Sequence, residues 1–307
     1  MAKILSIALN PAIDISSEAD KVQHTHKTRT HNQQQHPGGG GINVARVIAE
    51  LGGTCELLYM SGGATGLLLE AMLKPLPVRQ HAMKVHDPVR VAYNVRDMST
   101  NLEYRFVPEG PLISAAELTP VFEVLEASDA DYFVASGSLP RGVADDTYAR
   151  MAEIAARRGR RFVLDTSGAA LKATLGHRKV FLVKPSLGEL QDFVGRKLHH
   201  GSVGPTAQQL VRDGIAEYIT VTLGADGAVL ASAEDIVHLP AIEVPVQSAV
   251  GAGDCFVAAM TWSLAEGHRI EEAFRFGLAA GAAAVMTAGT ELCRRKDVLK
   301  LYEANKG

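Results

Sequence analysis

Two glycine-rich turns carry the side chains best placed for chemistry. The first reads Ser248-Ala249-Val250-Gly251-Ala252-Gly253-Asp254-Cys255, and an apolar, small-residue helical pattern follows it to about Ala265. Such a turn aims consecutive backbone N–H groups out of a helix N-terminus, where the macrodipole also favours an anion. Gly251, Ala252 and Gly253 are small enough to let a phosphate approach that backbone closely. Asp254 then falls in the first helical turn. A carboxylate beside a phosphate is unfavourable unless it accepts a proton or engages Mg²⁺; the plain alternative is that Asp254 only caps the helix. The second turn is Pro37-Gly38-Gly39-Gly40-Gly41-Ile42-Asn43. Its glycines open the backbone to a polar ligand, and Asn43 supplies donors and an acceptor one turn in; the alternative is a bare hinge. Neither turn is a dinucleotide fingerprint, because Asn43 and Phe256 stand where the third glycine belongs. No Gly-Lys-Ser/Thr follows either glycine run, so a Walker A loop is excluded too.

These turns need a scaffold, and the chain alternates short β-rich runs with helical periods. The pattern predicts buried strands over Lys3–Leu9, Cys55–Met60, Tyr132–Ser136, Arg161–Asp165, Val180–Val183 and Tyr218–Thr222. It predicts helices over Ile42–Leu51, Ala115–Ala127, Asp145–Arg158 and Pro205–Asp213. Strand–helix alternation with near-continuous apolar strands argues for an α/β fold, a mostly parallel sheet covered by helices on both faces. Ligands of such sheets bind outside the carboxyl ends of the strands. One region departs from this pattern. Val89, Val91, Tyr93 and Val95 alternate with polar residues, Asp97–Asn101 reads as a turn, and Leu102, Tyr104 and Phe106 alternate again. That is an antiparallel hairpin with one apolar face, to which residues 12–36 are expected to add strands. The apolar face of the small sheet needs a cover, either the active site or a second subunit; we read the sheet as a lid, and a lid of this kind suggests a homodimer.

Bulk properties narrow the function classes. With 307 residues, 47% apolar and 21% charged, the chain is expected to form one soluble globular domain spanning 1–307, with lid strands from about 12–36 and 89–107. A net charge of −3 offers no electrostatic attraction to nucleic acid or an anionic membrane, and neither is expected as a partner. Cys55, Cys255 and Cys293 are too scattered for a disulfide framework and suit a reducing compartment. The apolar run before Asn10-Pro11 is too short for a signal-peptide core, and no stretch approaches the ~18 apolar residues of a membrane span, so a cytoplasmic location is expected. His24, His26, His31 and His36 match no common metal spacing and read as a solvated edge strand.

Gly-Gly-Gly-Gly-Ile-Asn-Val-Ala at 38–45 and Val-Gly-Ala-Gly-Asp at 250–254 together resemble the two signatures of the ribokinase/PfkB carbohydrate kinases. Asn10-Pro11 with Asp14, Ser136-Gly137-Ser138-Leu139-Pro140, Val183-Lys184-Pro185 and Thr222-Leu223-Gly224-Ala225-Asp226-Gly227 fit the family's order along the whole chain. The resemblance implies a ribokinase-like three-layer α/β/α sandwich with a small β lid, and an ATP-dependent phosphotransferase. PGGGGINVARVIAELGG (37–53), SGGATG (61–66) and YRFV (104–107) are most similar to the branch that phosphorylates fructose 6-phosphate. Sister kinases acting on fructose 1-phosphate or tagatose 6-phosphate, and a binding protein that has lost catalysis, stay open as alternatives.

By the same resemblance Asp254 is the base and the backbone of Gly251, Ala252 and Gly253 the anion hole. Asp14, Gly39, Gly40 and Asn43 surround the sugar, and Lys27, Arg90, Arg105 and Ser138 meet its phosphate. Lys184, Ser186, Glu189, Thr222, Gly224 and Gly227 are expected at ATP, with the base against Ala279–Gly289. Mg²⁺ is expected through water at Glu189. A potassium site is implied by Ser248, Val250, Ala284 and Gly289, although Glu291 stands where the most similar branch carries arginine. A second departure is Ser186, which replaces the asparagine of the family's Asn-x-x-Glu.

Overall fold

Strand β1 (Ile4–Ala8) runs through the middle of the protein with all its residues buried. Its alternate side chains feed two cores, Ile4 and Ala8 on one face and Leu5 and Ile7 on the other. Only a sheet covered on both sides demands this of a strand. A computed structural model describes residues 2–306. From β1 the chain continues through β2 (Ala12–Ala19), β3 (His31–Gly38), α1 (Gly40–Glu50), β4 (Cys55–Gly62), α2 (Gly63–Leu73), β5 (Arg79–Val85), β6 (Arg90–Asp97) and β7 (Leu102–Phe106). It goes on through α3 (Ala115–Ala127), β8 (Tyr132–Ser136), α4 (Thr147–Arg157), β9 (Arg161–Asp165), α5 (Gly168–His177), β10 (Val180–Val183), α6 (Leu187–Val194) and α7 (His200–Arg212). The last elements are β11 (Ala216–Thr222), β12 (Ala228–Ala231), β13 (Ile236–Leu239), α8 (Ala252–Ala265), α9 (Ile270–Val285) and α10 (Arg295–Ala304).

The large sheet has the order β13-β12-β11-β10-β9-β8-β1-β4-β5 and is parallel except where β12 pairs with β11 and β13. Residues of α1, α2, α8, α9 and α10 fill the core on one face, and residues of α3 to α7 fill the other, giving three layers. The chain leaves β1 toward β4 on one side and later builds β8 on the other, so the strand order reverses there. A reversal opens a crevice at the carboxyl ends of the flanking strands. Here that crevice lies between the ends of β1 and β8. Helices α8 and α9 pack closely beside it; a Cβ on Gly277 would sit 3.0 Å from the Phe256 carbonyl. The Ala/Gly-rich run of α9 therefore serves a tight helix pair, with Ala279, Ala280, Ala283 and Ala284 buried.

The second sheet has the order β3-β2-β6-β7, with β2 and β6 parallel and the outer pairs antiparallel. Register fixes what each face carries. Tyr93 stands opposite Phe106 and Val95 opposite Tyr104, so the apolar positions share a face that points away from the body. Tyr93, Tyr104 and Phe106 are 47%, 37% and 58% exposed. Arg90, Ala92, Asn94 and Arg105 occupy the other face, toward the crevice. Asp97 secures the hairpin turn by accepting from the backbone N–H of Val22, Ser99 and Thr100.

Most anticipated elements appear within a residue or two of their expected ends. The exception is α7, which begins at His200 rather than Pro205. Proline is usual at a first helical position, but Pro205 lies inside this helix, where its missing N–H costs one bond. Among the described residues, no helix is long and apolar enough to cross a membrane.

Candidate functional site

Helix α8 opens on Gly251, whose φ of 76° is left-handed and suits glycine. Its first intrahelical bond runs from Cys255 N–H to the Gly251 carbonyl at 2.8 Å. The N–H groups of Ala252, Gly253 and Asp254 thus precede the helical ladder, and only that of Ala252 is partly used, by the Ala249 carbonyl at 3.4 Å. Ala252 and Gly253 are two of the three residues expected to form the anion hole. Asp254 projects from this turn into the crevice. Asn43 Nδ2 donates to its Oδ2 at 2.8 Å and Ser136 Oγ to its Oδ1 at 3.4 Å. Burial raises the Asp254 pKa above the ordinary aspartate range, while the Asn43 bond, Lys184, Ser136 and Arg105 act in the opposite direction.

The glycine turn before α1 meets Asp254 from the other side. Ser6 Oγ on β1 donates to the Gly41 carbonyl at 2.6 Å and anchors the turn to the sheet. A Cβ on Gly38 would fall 2.0 Å from Asp14 Oδ2, so the turn leaves room for that carboxylate only as glycine. One cavity is lined by Asp14, Gly39, Gly40, Asn43, Arg90, Asn94, Arg105, Gly251 and Asp254, with Ala12, Ile15, Ala92, Tyr93, Val107, Val250 and Thr290. The lid supplies its cations. Arg90 donates to the carbonyls of Asn10 at 3.0 Å and Pro108 at 3.3 Å, while its Nε stays buried without a partner. Asn94 Oδ1 and Asn10 Oδ1 are likewise buried and unpartnered. The orphaned atoms of Arg90 and Asn94, in a cavity with two arginines, suit a hydroxylated anion. Burial and the neighbouring Asp254 push the Asp14 pKa up, and Arg90, Arg105 and Arg46 counter them.

Next to this cavity the ends of β9, β10 and β11 form a row. Lys184 at the end of β10 pairs with Asp165 at the end of β9 at 3.0 Å, and both are enclosed. Burial pushes Asp165 up to about 6 despite Lys184, and the Asp165 charge keeps Lys184 above the ordinary lysine value against its own burial. Both groups are therefore ionised at neutral pH. A Cβ on Gly253 would sit 3.2 Å from Lys184 Nζ, which places that ammonium beside the α8 N-terminus. Ser186 and Glu189 turn out to form a capping box on α6: Ser186 Oγ accepts from the Glu189 N–H, and Glu189 Oε2 from the Ser186 N–H at 2.7 Å. One Glu189 oxygen is thus committed to the helix end, leaving Oε1 outside these bonds. Thr222 ends β11 with its N–H on the Pro185 carbonyl, and Gly224 and Gly227 follow in positive-φ turns.

Not every anticipated residue converges. Lys27 is exposed on the loop between β2 and β3 and does not line the cavity of its own chain. Ser138 is exposed beside the cavity and accepts from Asn10 Nδ2 at 3.0 Å. Of the four carbonyl positions expected around potassium, that of Ala284 already accepts two bonds, from the N–H and Oγ1 of Thr287. Conversely, Asp165, Arg46 and Asn94 stand at or beside the site and carried no local signal; Ser136 opened a motif of the family resemblance but was not singled out, and Ser186-x-x-Glu189 carried the capping-box spacing.

The pfkB family carbohydrate kinase model matches residues 1–297. ATP-dependent 6-phosphofructokinase isozyme 2 of Mycobacterium tuberculosis is 40% identical over 304 residues, covering 98% of this chain and 89% of the relative. The crystal structure of phosphofructokinase-2 from Escherichia coli in complex with fructose-6-phosphate is 35% identical, covers both chains fully and superposes with a TM-score of 0.94. The structure of that Escherichia coli protein in complex with potassium is 36% identical with a TM-score of 0.95 over both full chains.

The Asp165–Lys184 pair makes a pH-dependent contribution whose sign is fixed. A carboxyl pKa raised in the fold means that the folded state holds a proton the unfolded chain has lost, so stability from this group falls as pH rises from about 4 to 6. Asparagine at 165 has no such slope. The stability advantage of wild type over Asp165→Asn should shrink by about 2 kcal/mol between pH 4 and 6 and level off above. Urea denaturation at several pH values measures it, and a difference independent of pH would remove the buried-pair account.

Proposed function

The chain belongs to the pfkB family of carbohydrate kinases, and on that premise we propose that it transfers the γ-phosphoryl group of ATP to the 1-hydroxyl of fructose 6-phosphate. The products are fructose 1,6-bisphosphate and ADP. The observation that carries this reading is the meeting of Asp254, at the open N-terminus of α8, with a cavity roofed by Arg90 and Arg105. The sugar lies in that cavity, its hydroxyls on Asp14, Asn43 and the Gly39–Gly40 backbone. Its existing phosphate takes the lid arginines, whose planar forks suit a phosphate dianion. Asn94 Oδ1 accepts a further hydroxyl.

Phosphoryl transfer passes through a loose transition state, so positioning and charge stabilisation supply most of the catalysis. The sugar O1–P bond forms as the bond from γ-phosphorus to the β,γ-bridging oxygen breaks. The hydroxyl proton passes to Asp254, and the leaving charge stays on ADP. Late deprotonation along such a path asks little basicity of a carboxylate. The free N–H groups at the start of α8 and the Lys184 ammonium face the equatorial oxygens of the transferring group. ATP lies along the ends of β10 and β11, over Ser186, Thr222, Gly224 and Gly227. Mg²⁺ supplies charge neutralisation on the phosphates, and Glu189 Oε1 suits holding it through water, since Mg²⁺ keeps most of its waters. A potassium ion near the Ser248, Val250 and Gly289 carbonyls supports the turn before α8; equal rates in sodium and potassium buffers would contradict this part.

The partner is a second copy of the chain, seated on the apolar lid face. Tyr93, Tyr104, Phe106 and Leu102 form a contiguous exposed patch on one side of a four-stranded sheet, and such a patch marks an association surface. Tyr93→Asp with Phe106→Asp should convert the protein to monomers, read by light scattering; a wild-type monomer would refute the dimer. Asp254→Asn should lower kcat by about 10²–10⁴-fold with an unchanged far-UV spectrum. Retention of most activity in that variant would end the assignment of the base.

A further inference from the structure

Arg46 is a half-buried cation that the phosphoryl-transfer reading leaves without a role. It stands on α1 three residues after Asn43, on the same helical face. Its Nη1 donates to the Pro37 carbonyl at 2.8 Å and to Asn43 Oδ1 at 3.3 Å. An amide has one acceptor end and one donor end. With Oδ1 held by the guanidinium, Asn43 must present Nδ2 to Asp254 Oδ2, 2.8 Å away. The flipped amide would set a carbonyl against a carboxylate and an NH₂ against a guanidinium, and both contacts repel. The bond to Pro37 works on the same parts, because it ties the end of β3 to α1 across the glycine turn. Burial works against the Arg46 charge while Asp14 and Asp254 sustain it, so this cation is kept in place by the carboxylates of the site.

We propose that Arg46 is a positioning residue: by locking the Asn43 amide it keeps Asp254 Oδ2 occupied and leaves Oδ1 aimed at the sugar hydroxyl. Arg46 itself touches neither substrate. The inference rests on Asp254 as the base.

Arg46→Lys keeps the charge but not the planar fork that bridges two acceptors. Its kcat should fall about 10- to 100-fold with both KM values within about threefold, since the loss is in alignment. The acid limb of kcat should also move to higher pH, because the Asn43 bond is the largest of the influences that oppose the burial of Asp254. In an Asn43→Ala background the same substitution should change kcat by less than about twofold, because the relay is already broken. Additive losses in that cycle, or an unmoved acid limb, would show Arg46 to be ordinary packing and overturn the proposal. Should the lysine variant unfold by circular dichroism, Arg46→Gln, which also loses the fork that bridges Pro37 and Asn43, serves in the same cycle: a fall in kcat that vanishes in the Asn43→Ala background supports the relay, and an additive fall or none opposes it. Asp254→Asn run alongside separates the two claims. An active Asp254→Asn removes the base itself, whereas an inactive one with additive Arg46 losses removes only the relay.

Discussion

The 2.8 Å hydrogen bond from Asn43 to Asp254 joins residues 211 positions apart and brings two glycine-opened helices to a single point. Everything around it is arranged so that both helix starts can reach the crevice where the strand order reverses. Strand β1 holds the first turn through Ser6, strand β8 supplies Ser136 to the second, and α9 packs closely against α8 at Phe256. This convergence gathers the carboxylates of Asp14, Asp165 and Asp254 under partial burial. Burial raises all three, and Arg46, Arg90, Arg105 and Lys184 counter it in different combinations. The fold thus gathers buried carboxylates with cations set among them.

The lid divides its labour between two faces. Because side chains alternate along a strand, β6 and β7 turn Arg90, Asn94 and Arg105 toward the cavity and Tyr93, Tyr104 and Phe106 to the other face. A one-residue slip between β6 and β7 would exchange the faces and remove the cations from the cavity. Two contacts tie this sheet to the body near the anion site, His36 with Thr290 at 2.9 Å and Ser248 Oγ donating to Glu103 at 3.3 Å.

Much of the sandwich was legible because β1, β4, β8, β9 and β10 are near-continuous apolar runs, which little else in a soluble chain requires. Helices α2 and α5 escaped the reading because their apolar residues surround the helix and leave no 3.6-residue stripe. Strand β5 escaped because Arg79, Gln80, His81 and Lys84 interrupt it. Asp254 and Asn43 stood out locally because both lie in glycine-opened turns, whereas Asp14, Arg90 and Arg105 were placed with them by the family resemblance. Asp165 and Arg46 had neither cue. Their significance comes from neighbours distant in sequence, and a strand-ending aspartate or a helical arginine has no local mark. Ser186-x-x-Glu189 carried a readable capping signature, but the resemblance drew attention to a metal instead.

The central claim is that this cavity selects fructose 6-phosphate for phosphorylation. The most direct test is ADP release by the purified protein with Mg-ATP, comparing fructose 6-phosphate, fructose 1-phosphate and tagatose 6-phosphate at limiting concentration. The account predicts a kcat/KM clearly highest for fructose 6-phosphate. A higher value for either rival would keep the chemistry at Asp254 but contradict the assigned substrate, and no turnover with any of the three would contradict the account as a whole.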